Sequence, residues 1–313
     1  MTLPTVKVLL STYNGEEYLL PLLDTLMRQQ QVTVRLVIRD DGSTDRTPQL
    51  LKEYQYDHDI KVDFGQNVGW RDSFMTLLKN VPADDDSDYY AFADQDDLYD
   101  SDKLIIAVNR LADMNNQPAL YHSNVTFADA EGRPLGDKYP RDMIPTTKLP
   151  ECYFDSKWMG TTMVFNRGLM ALIRRHVPIN NTVHDAYVIN IAQFFGTVIY
   201  DSTPHMKYRR HESAATGFGK SNSVQKIKTP TLLDRYRRYK ANKYPNPFSN
   251  RAKEILIGYD ALLSPAQRSF LTVLAEYRQN LPARLRLIFD PRIRASNLRQ
   301  TLQIRYRVIA NTL

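Results

Sequence analysis

The chain has 313 residues, 42% hydrophobic and 24% charged, an ordinary composition for a folded soluble protein with one large domain or a catalytic domain plus an appendage. Its single cysteine, Cys152, excludes an intramolecular disulfide and a cysteine-built metal cage, and suits a reducing compartment. The net charge of +6 belongs to the tail: Pro282–Leu313 carries seven arginines (Arg284, Arg286, Arg292, Arg294, Arg299, Arg305, Arg307) against Asp290 alone, leaving the remainder near neutral.

Met1–Leu10 lacks the basic-then-apolar pattern of a signal peptide. No segment approaches the ~18 uninterrupted apolar residues of a membrane span, so a cytoplasmic location is expected. The short apolar run Val6–Ser11 reads as a buried strand, and Glu16–Gln30 has helical spacing through Tyr18, Leu19, Leu22, Leu23 and Leu26. Strands follow at Val32–Ile38, Ile60–Phe64, Tyr89–Ala93 and Ala119–Asn124. Between them come helices from Asp45 to about Tyr56, over Asp72–Lys79 and over Lys103–Met114. This alternation predicts an α/β layer with a mostly parallel sheet, which binds ligands beyond the carboxyl ends of its strands. Ala128–Pro150, rich in Pro, Gly and charge, reads as a loop or lid. A second block contains a strand at Thr161–Asn166, helices at Leu169–His176 and Val183–Phe195, and a strand at Thr197–Tyr200. Gly217–Pro230 is polar, and helices are expected from Thr231 onward, one with Ser264 as N-cap and Pro265 at its first position.

Four strand ends carry a consistent set of groups: Ser11-Thr12-Tyr13-Asn14-Gly15, Asp40-Asp41-Gly42-Ser43-Thr44-Asp45, Asn67-Val68-Gly69-Trp70-Arg71 and Asp94-Gln95-Asp96-Asp97. Asp40–Asp45 alone is equally compatible with a solvated turn that caps the next helix. Three carboxylates within four residues repel one another, and a hard cation such as Mg²⁺ or Mn²⁺ offsets that repulsion.

Together these motifs resemble the family 2 glycosyltransferases of the GT-A fold over residues 5 to about 220. The family's S-x-Y-N, D-D-G-S-x-D, N-x-G and D-x-D-type elements occur here in order. The resemblance implies a Rossmann-like, mostly parallel sheet flanked by helices, with a C-terminal all-helical extension. The expected division is a catalytic domain over 1–225, with halves at 1–125 and 126–225, followed by a basic helical region over 226–313. The implied reaction is inverting transfer of a sugar from a nucleotide diphosphate to an acceptor hydroxyl.

By the same resemblance Thr12, Tyr13 and Asn14 would bind the donor, and Asp40, beside Asp41, would accept the imide N–H of uracil or thymine. Gly69 would admit the nucleotide and Arg71 would reach the diphosphate. Asp96, supported by Asp94, would hold Mg²⁺ or Mn²⁺. Asp185, at the start of a helix, matches the family's general base, although the helix dipole alone also favours a carboxylate there. Trp158, Gly160 and Thr161 would shape the sugar and acceptor pocket. In Tyr208-Arg209-Arg210-His211, Arg210 would stabilise the leaving group, and His211 is a further metal candidate. Local details look most like the bacterial rhamnosyltransferase branch, which implies dTDP-rhamnose (UDP sugars being the alternative donors) and a saccharide or lipid-linked saccharide acceptor of a cell-surface polysaccharide.

Two rival readings stay open: a sugar nucleotidyltransferase, although Ser11–Gly15 lacks the basic Gly-rich loop such an enzyme needs, and a non-catalytic nucleotide-sugar-binding subunit. No nucleic-acid motif accompanies the tail arginines. Leu298, Leu302, Tyr306 and Ile309 recur at three to four residues among them, as in a helix lying on an anionic membrane surface. Packing on the catalytic domain and homo-oligomerisation are the alternatives.

Overall fold

The chain, seen in a computed structural model, is described for residues 2–114, 117–155, 157–180, 182–211, 237, 247–279 and 281–313. The first half runs β1 (Thr5–Thr12), α1 (Leu19–Met27), β2 (Thr33–Asp40), α2 (Thr47–Asp57), β3 (Lys61–Phe64), α3 (Trp70–Lys79), β4 (Tyr89–Asp94), β5 (Leu98–Tyr99), α4 (Lys103–Leu111) and β6 (Ala119–Ser123). Next come β7 (Thr126–Ala128), β8 (Pro134–Asp137), α5 (Glu151–Phe154), β9 (Val164–Asn166), α6 (Arg167–Ile173), α7 (His184–Phe195), β10 (Thr197–Asp201) and β11 (Met206–Arg209). Four helices complete the described chain: α8 (Pro247–Tyr259), α9 (Pro265–Glu276), α10 (Leu281–Phe289) and α11 (Leu298–Ile309).

The main sheet has seven strands in the order β10-β6-β9-β4-β1-β2-β3. All run parallel except β9, which is antiparallel to β4 on one side and β6 on the other. Side-chain alternation separates the two faces. Val6, Val8 and Leu10 of β1, with Ala91 and Ala93 of β4, pack beneath α1, α2 and α4. Leu9, Tyr90 and Phe92 point the other way, to a core shared by α3, α6, α7 and all four C-terminal helices. Parallel strands covered on both faces explain the near-continuous apolar runs in the sequence.

The expected elements are present, with informative shifts. Helix α1 begins at Leu19 rather than Glu16, because the Tyr18 and Leu19 amides close a turn on Gly15 O. The strand expected over Thr161–Asn166 is a 3-10 turn (Gly160–Thr162) followed by β9. The stretch expected as a loop or lid contains β8, which joins a small second sheet, β5-β11-β7-β8. Its strands are two to four residues long, too short for a hydrophobic period. Gly217–Pro230 and the expected boundary at 225 lie outside the described residues.

Ser264 caps α9 in a full capping box with Gln267, with Pro265 in the first turn. Phe270, Leu271, Leu274 and Tyr277 are buried on one face of that helix. The C-terminal helices also reach the catalytic half through polar contacts. The fully buried Glu254 of α8 accepts from the Ile179 and Asn180 amides (3.1 and 2.6 Å) and pairs with His176 Nε2 (2.6 Å). Tyr259 OH lies 2.8 Å from Tyr187 OH of α7.

Candidate active site

Strand register brings the predicted groups to one rim. Thr12 pairs with Asp40 across β1 and β2, and Ser11 pairs with Asp94 across β1 and β4, so three motifs end at the same level. Asp40 is 2% exposed; Oδ1 accepts from Thr12 Oγ1 (3.0 Å) and Ser43 Oγ, and Oδ2 accepts from Ser43 N (3.0 Å). The side chain of Asn14, at φ +46°, accepts from Thr44 N (2.8 Å), stitching the loops after β1 and β2 together. Tyr13 remains 45% exposed at the rim. Its amide donates to Gln95 Oε1 (2.8 Å) and its carbonyl accepts from Gln95 Nε2 (3.0 Å). Gln95, a bridge between the first and fourth motifs, was legible only as the spacer between Asp94 and Asp96.

Asp41 is buried and serves the third motif. Its oxygens accept from the Val68 and Gly69 amides (2.9 and 2.8 Å), and Oδ1 also pairs with Arg39. Arg39 in turn donates to Ser73 Oγ and Gln66 O, both at 3.0 Å. Gly69 adopts φ +87°, a conformation that excludes most other residues, and apart from its chain neighbours no described residue comes within 4 Å of where a Cβ would stand. Arg71 opens α3 with its guanidinium 5.1 Å from the Trp70 ring.

The acidic motif divides by environment. Asp94 is partly exposed at the tip of β4, and burial, Asp96 and Asp185 push its carboxyl up to about 7. Asp96 Oδ2 lies 2.8 Å from His211 Nε2. Asp97 faces inward instead: it accepts from Thr161 Oγ1 (2.8 Å) and Arg209 N (3.2 Å), and burial together with Asp96 and Asp94 raises its carboxyl well above the usual range. Lys103, buried beside it, donates to Thr161 O (2.8 Å), and desolvation lowers its ammonium to about 7. Thr161 is thereby a buried link between the acidic motif and the Gly160–Thr162 turn.

Asp185 stands in the first turn of α7 and accepts from Ala186 N (2.6 Å). A Cβ at Gly160 would come within 3.1 Å of Asp185 Cβ and of His184 Nε2, so the glycine leaves room directly against the expected base. His184, buried, stacks on Phe74 with ring centroids 4.1 Å apart, and desolvation lowers it to about 4. Trp158 is half-buried against the core and lines a small cavity with Cys152, His122 and Tyr200.

The basic motif is placed by β11. His211 packs on Tyr18 (4.4 Å), and Arg209 lies over the same ring while donating to Asp96 O (2.9 Å). Arg210 lies over Phe127 (5.2 Å). Arg209 is thus the arginine that braces the acidic motif. Among the described residues no three His, Cys, Asp or Glu side chains form a ready-made metal cage. The donors at the rim are two carboxylates crowded by like charge with an imidazole beside one of them, a set that suits a hard divalent cation.

Residues 7–178 match the family described as glycosyl transferase family 2. RfbG of Shigella flexneri, named a dTDP-rhamnosyl transferase, is 26% identical over 253 residues, 77% of this chain and 85% of RfbG. Glycosyltransferase GlyA of Streptococcus pneumoniae is 27% identical over 161 residues, 49% of this chain but 22% of GlyA; a Rickettsia felis glycosyltransferase is likewise spanned over only 24% of its length. Among solved structures, S. aureus TarS 1-349 in complex with UDP-GlcNAc superposes with a TM-score of 0.58 at 16% identity, covering 96% of this chain and 79% of that one. That likeness bears on the fold, whose parallel sheet, strand-end rim and C-terminal helices agree with it. With the motif match spanning more than half of its length, the chain belongs to glycosyl transferase family 2.

Proposed function

We propose that this glycosyltransferase is an inverting, metal-dependent enzyme that moves a hexose, rhamnose from dTDP-rhamnose, to an acceptor hydroxyl of a growing cell-surface polysaccharide at the inner face of the membrane. The observation that carries the reading is the placement of Asp94 and Asp96 at the β4 tip, Asp96 beside His211, with the Gly160–Thr162 turn joining that motif to α7: Thr161 bonds Asp97, and Gly160 lies directly against Asp185. The donor identity draws support from RfbG, the relative matched over most of both chains.

Thr12 and Tyr13 line the nucleoside side of the rim. Asp40 Oδ2 accepts one hydrogen bond from the protein and retains a lone pair for the imide N–H of thymine or uracil. Asp41 positions Gly69 beneath the diphosphate, and Arg71 and Arg210 supply positive charge to it. Asp94 and Asp96, with His211 as a further donor, would hold Mg²⁺ or Mn²⁺, which contributes Lewis acidity toward the leaving diphosphate when bound. Asp185 takes the proton from the acceptor hydroxyl as its oxygen attacks the anomeric carbon from the face opposite the nucleotide. Gly160 keeps that approach open, and positioning supplies much of the remaining acceleration.

Asp96→Ala tests the reading. It should retain the fold, weaken metal-dependent binding of dTDP-rhamnose in a thermal-shift panel of nucleotide sugars, and abolish transfer. Transfer at the wild-type rate by this variant would overturn the site assignment, and stabilisation by a UDP sugar in place of dTDP-rhamnose would overturn the donor.

A further inference from the structure

The tail arginines and the exposed apolar residues of α10 and α11 form a pattern that the catalytic reading does not use. At about 100° per residue, Leu281, Leu285 and Phe289 of α10 fall within roughly 80° of one another. They are 63%, 48% and 76% exposed, whereas Leu287 on the opposite side is buried. On α11, Leu298, Leu302 and Ile309 fall within about 40° of one another. They too are exposed, Leu298 by 74%, while Ile304 and Val308 turn inward to the core. The two helices pack on each other, so the stripes belong to neighbouring elements.

Charge surrounds both stripes. The only acid of the segment, Asp290, is taken by Arg292, and Arg294 pairs with Glu151. Arg284, Arg299 and Arg305 form no ion pair among the described residues, and Arg286 only shares Asp290, at longer range, with Arg292. Helices anchored to a core by one face, with large apolar side chains on the other and unneutralised arginines along the edge, match the chemistry of an anionic bilayer interface. No described helix is long and apolar enough to cross a membrane.

We infer that α10 and α11 are a membrane-docking surface: Leu281, Leu285, Phe289, Leu298, Leu302 and Ile309 enter the headgroup boundary, and Arg284, Arg286, Arg299 and Arg305 bind anionic lipid headgroups. This deepens the location given under the proposed function and is independent of the donor and of the base. A second copy of the chain is the competing occupant, and the arginines argue against it, because a symmetric interface would oppose like charges.

Point variants are needed, because removing residues 281–313 would also strip Leu287, Ile293, Ile304, Val308 and Leu313 from the core. The full chain should float with vesicles of phosphatidylcholine containing phosphatidylglycerol, and not with phosphatidylcholine alone. Binding should weaken at high salt as the headgroup attraction is screened. Leu285→Asp/Phe289→Asp and Leu298→Asp/Leu302→Asp should lose flotation at unchanged Tm. Each of Arg284→Gln and Arg299→Gln should lower vesicle partitioning about five-fold. Donor binding by all four variants, measured without vesicles, should stay at the wild-type level, which separates this inference from the catalytic reading. Wild-type protein that stays off anionic vesicles, or aspartate variants that float equally well, would overturn it. So would a concentration-dependent dimer in sedimentation that the same substitutions dissolve without any vesicle binding.

Discussion

Asp185 stands in the first turn of α7, next to His184, whose ring packs on Phe74 and Phe92. Asp185→Asn preserves shape and hydrogen bonding but not basicity. It should bind donor normally and transfer at least ~100-fold more slowly, read by single-turnover kinetics at saturating donor. A variant that instead loses donor affinity at an unchanged rate would make Asp185 a binding residue. A second residue-scale expectation concerns His122, buried on β6 and lowered to about 4 by desolvation and Lys138. Its folded pKa lies below the unfolded value of about 6.5, so between these values the unfolded chain binds more protons. Wild-type stability should therefore fall as pH drops from about 6.5 to about 4, relative to His122→Leu, by roughly 3 kcal/mol. Urea midpoints for the two proteins across that range check it; a constant difference would mean His122 protonates freely in the folded state.

At the scale of elements, the motifs at strand ends were legible because a parallel strand must end at the rim and its polar tail has nowhere else to go. Thr12, Asp40 and Asp94 read directly as strand-end residues, and register places them side by side. What the sequence withheld was the partner of each group. Asp97 looks like a third rim carboxylate but turns inward to Thr161 and Arg209. Arg209 and Arg210 are indistinguishable in sequence, yet strand alternation sends one to the acidic motif and the other to Phe127. Glu254 carried no signal at all, since its four contacts lie more than seventy residues away. It holds the 176–180 segment that leads into α7. Glu254→Ala should strand the Ile179 and Asn180 donors in a buried place and cost about 3 kcal/mol of stability in chemical denaturation. A change below ~1 kcal/mol would show that water replaces the carboxylate.

For the molecule as a whole, composition located the basic tail but could not decide what its helices touch. An amphipathic period describes a helix with one apolar face, and α10 and α11 have two apolar surfaces, one inward and one outward. The same ambiguity hid the antiparallel β9, whose three buried residues carry no mark of direction. That strand has a mechanical meaning. Lying between β4 and β6, both from the first half of the chain, it inserts a strand of the second block into their sheet. Any hinge between the two halves would have to break main-chain pairs on both sides of β9. Capture and release of substrates must then fall to the loops at the rim while the framework stays rigid. Small-angle scattering should accordingly give the same radius of gyration with and without donor, and hydrogen exchange should slow in the Asn67–Arg71 segment but not in β4, β9 or β6. A contraction of the whole particle on donor binding would show instead that the sheet yields.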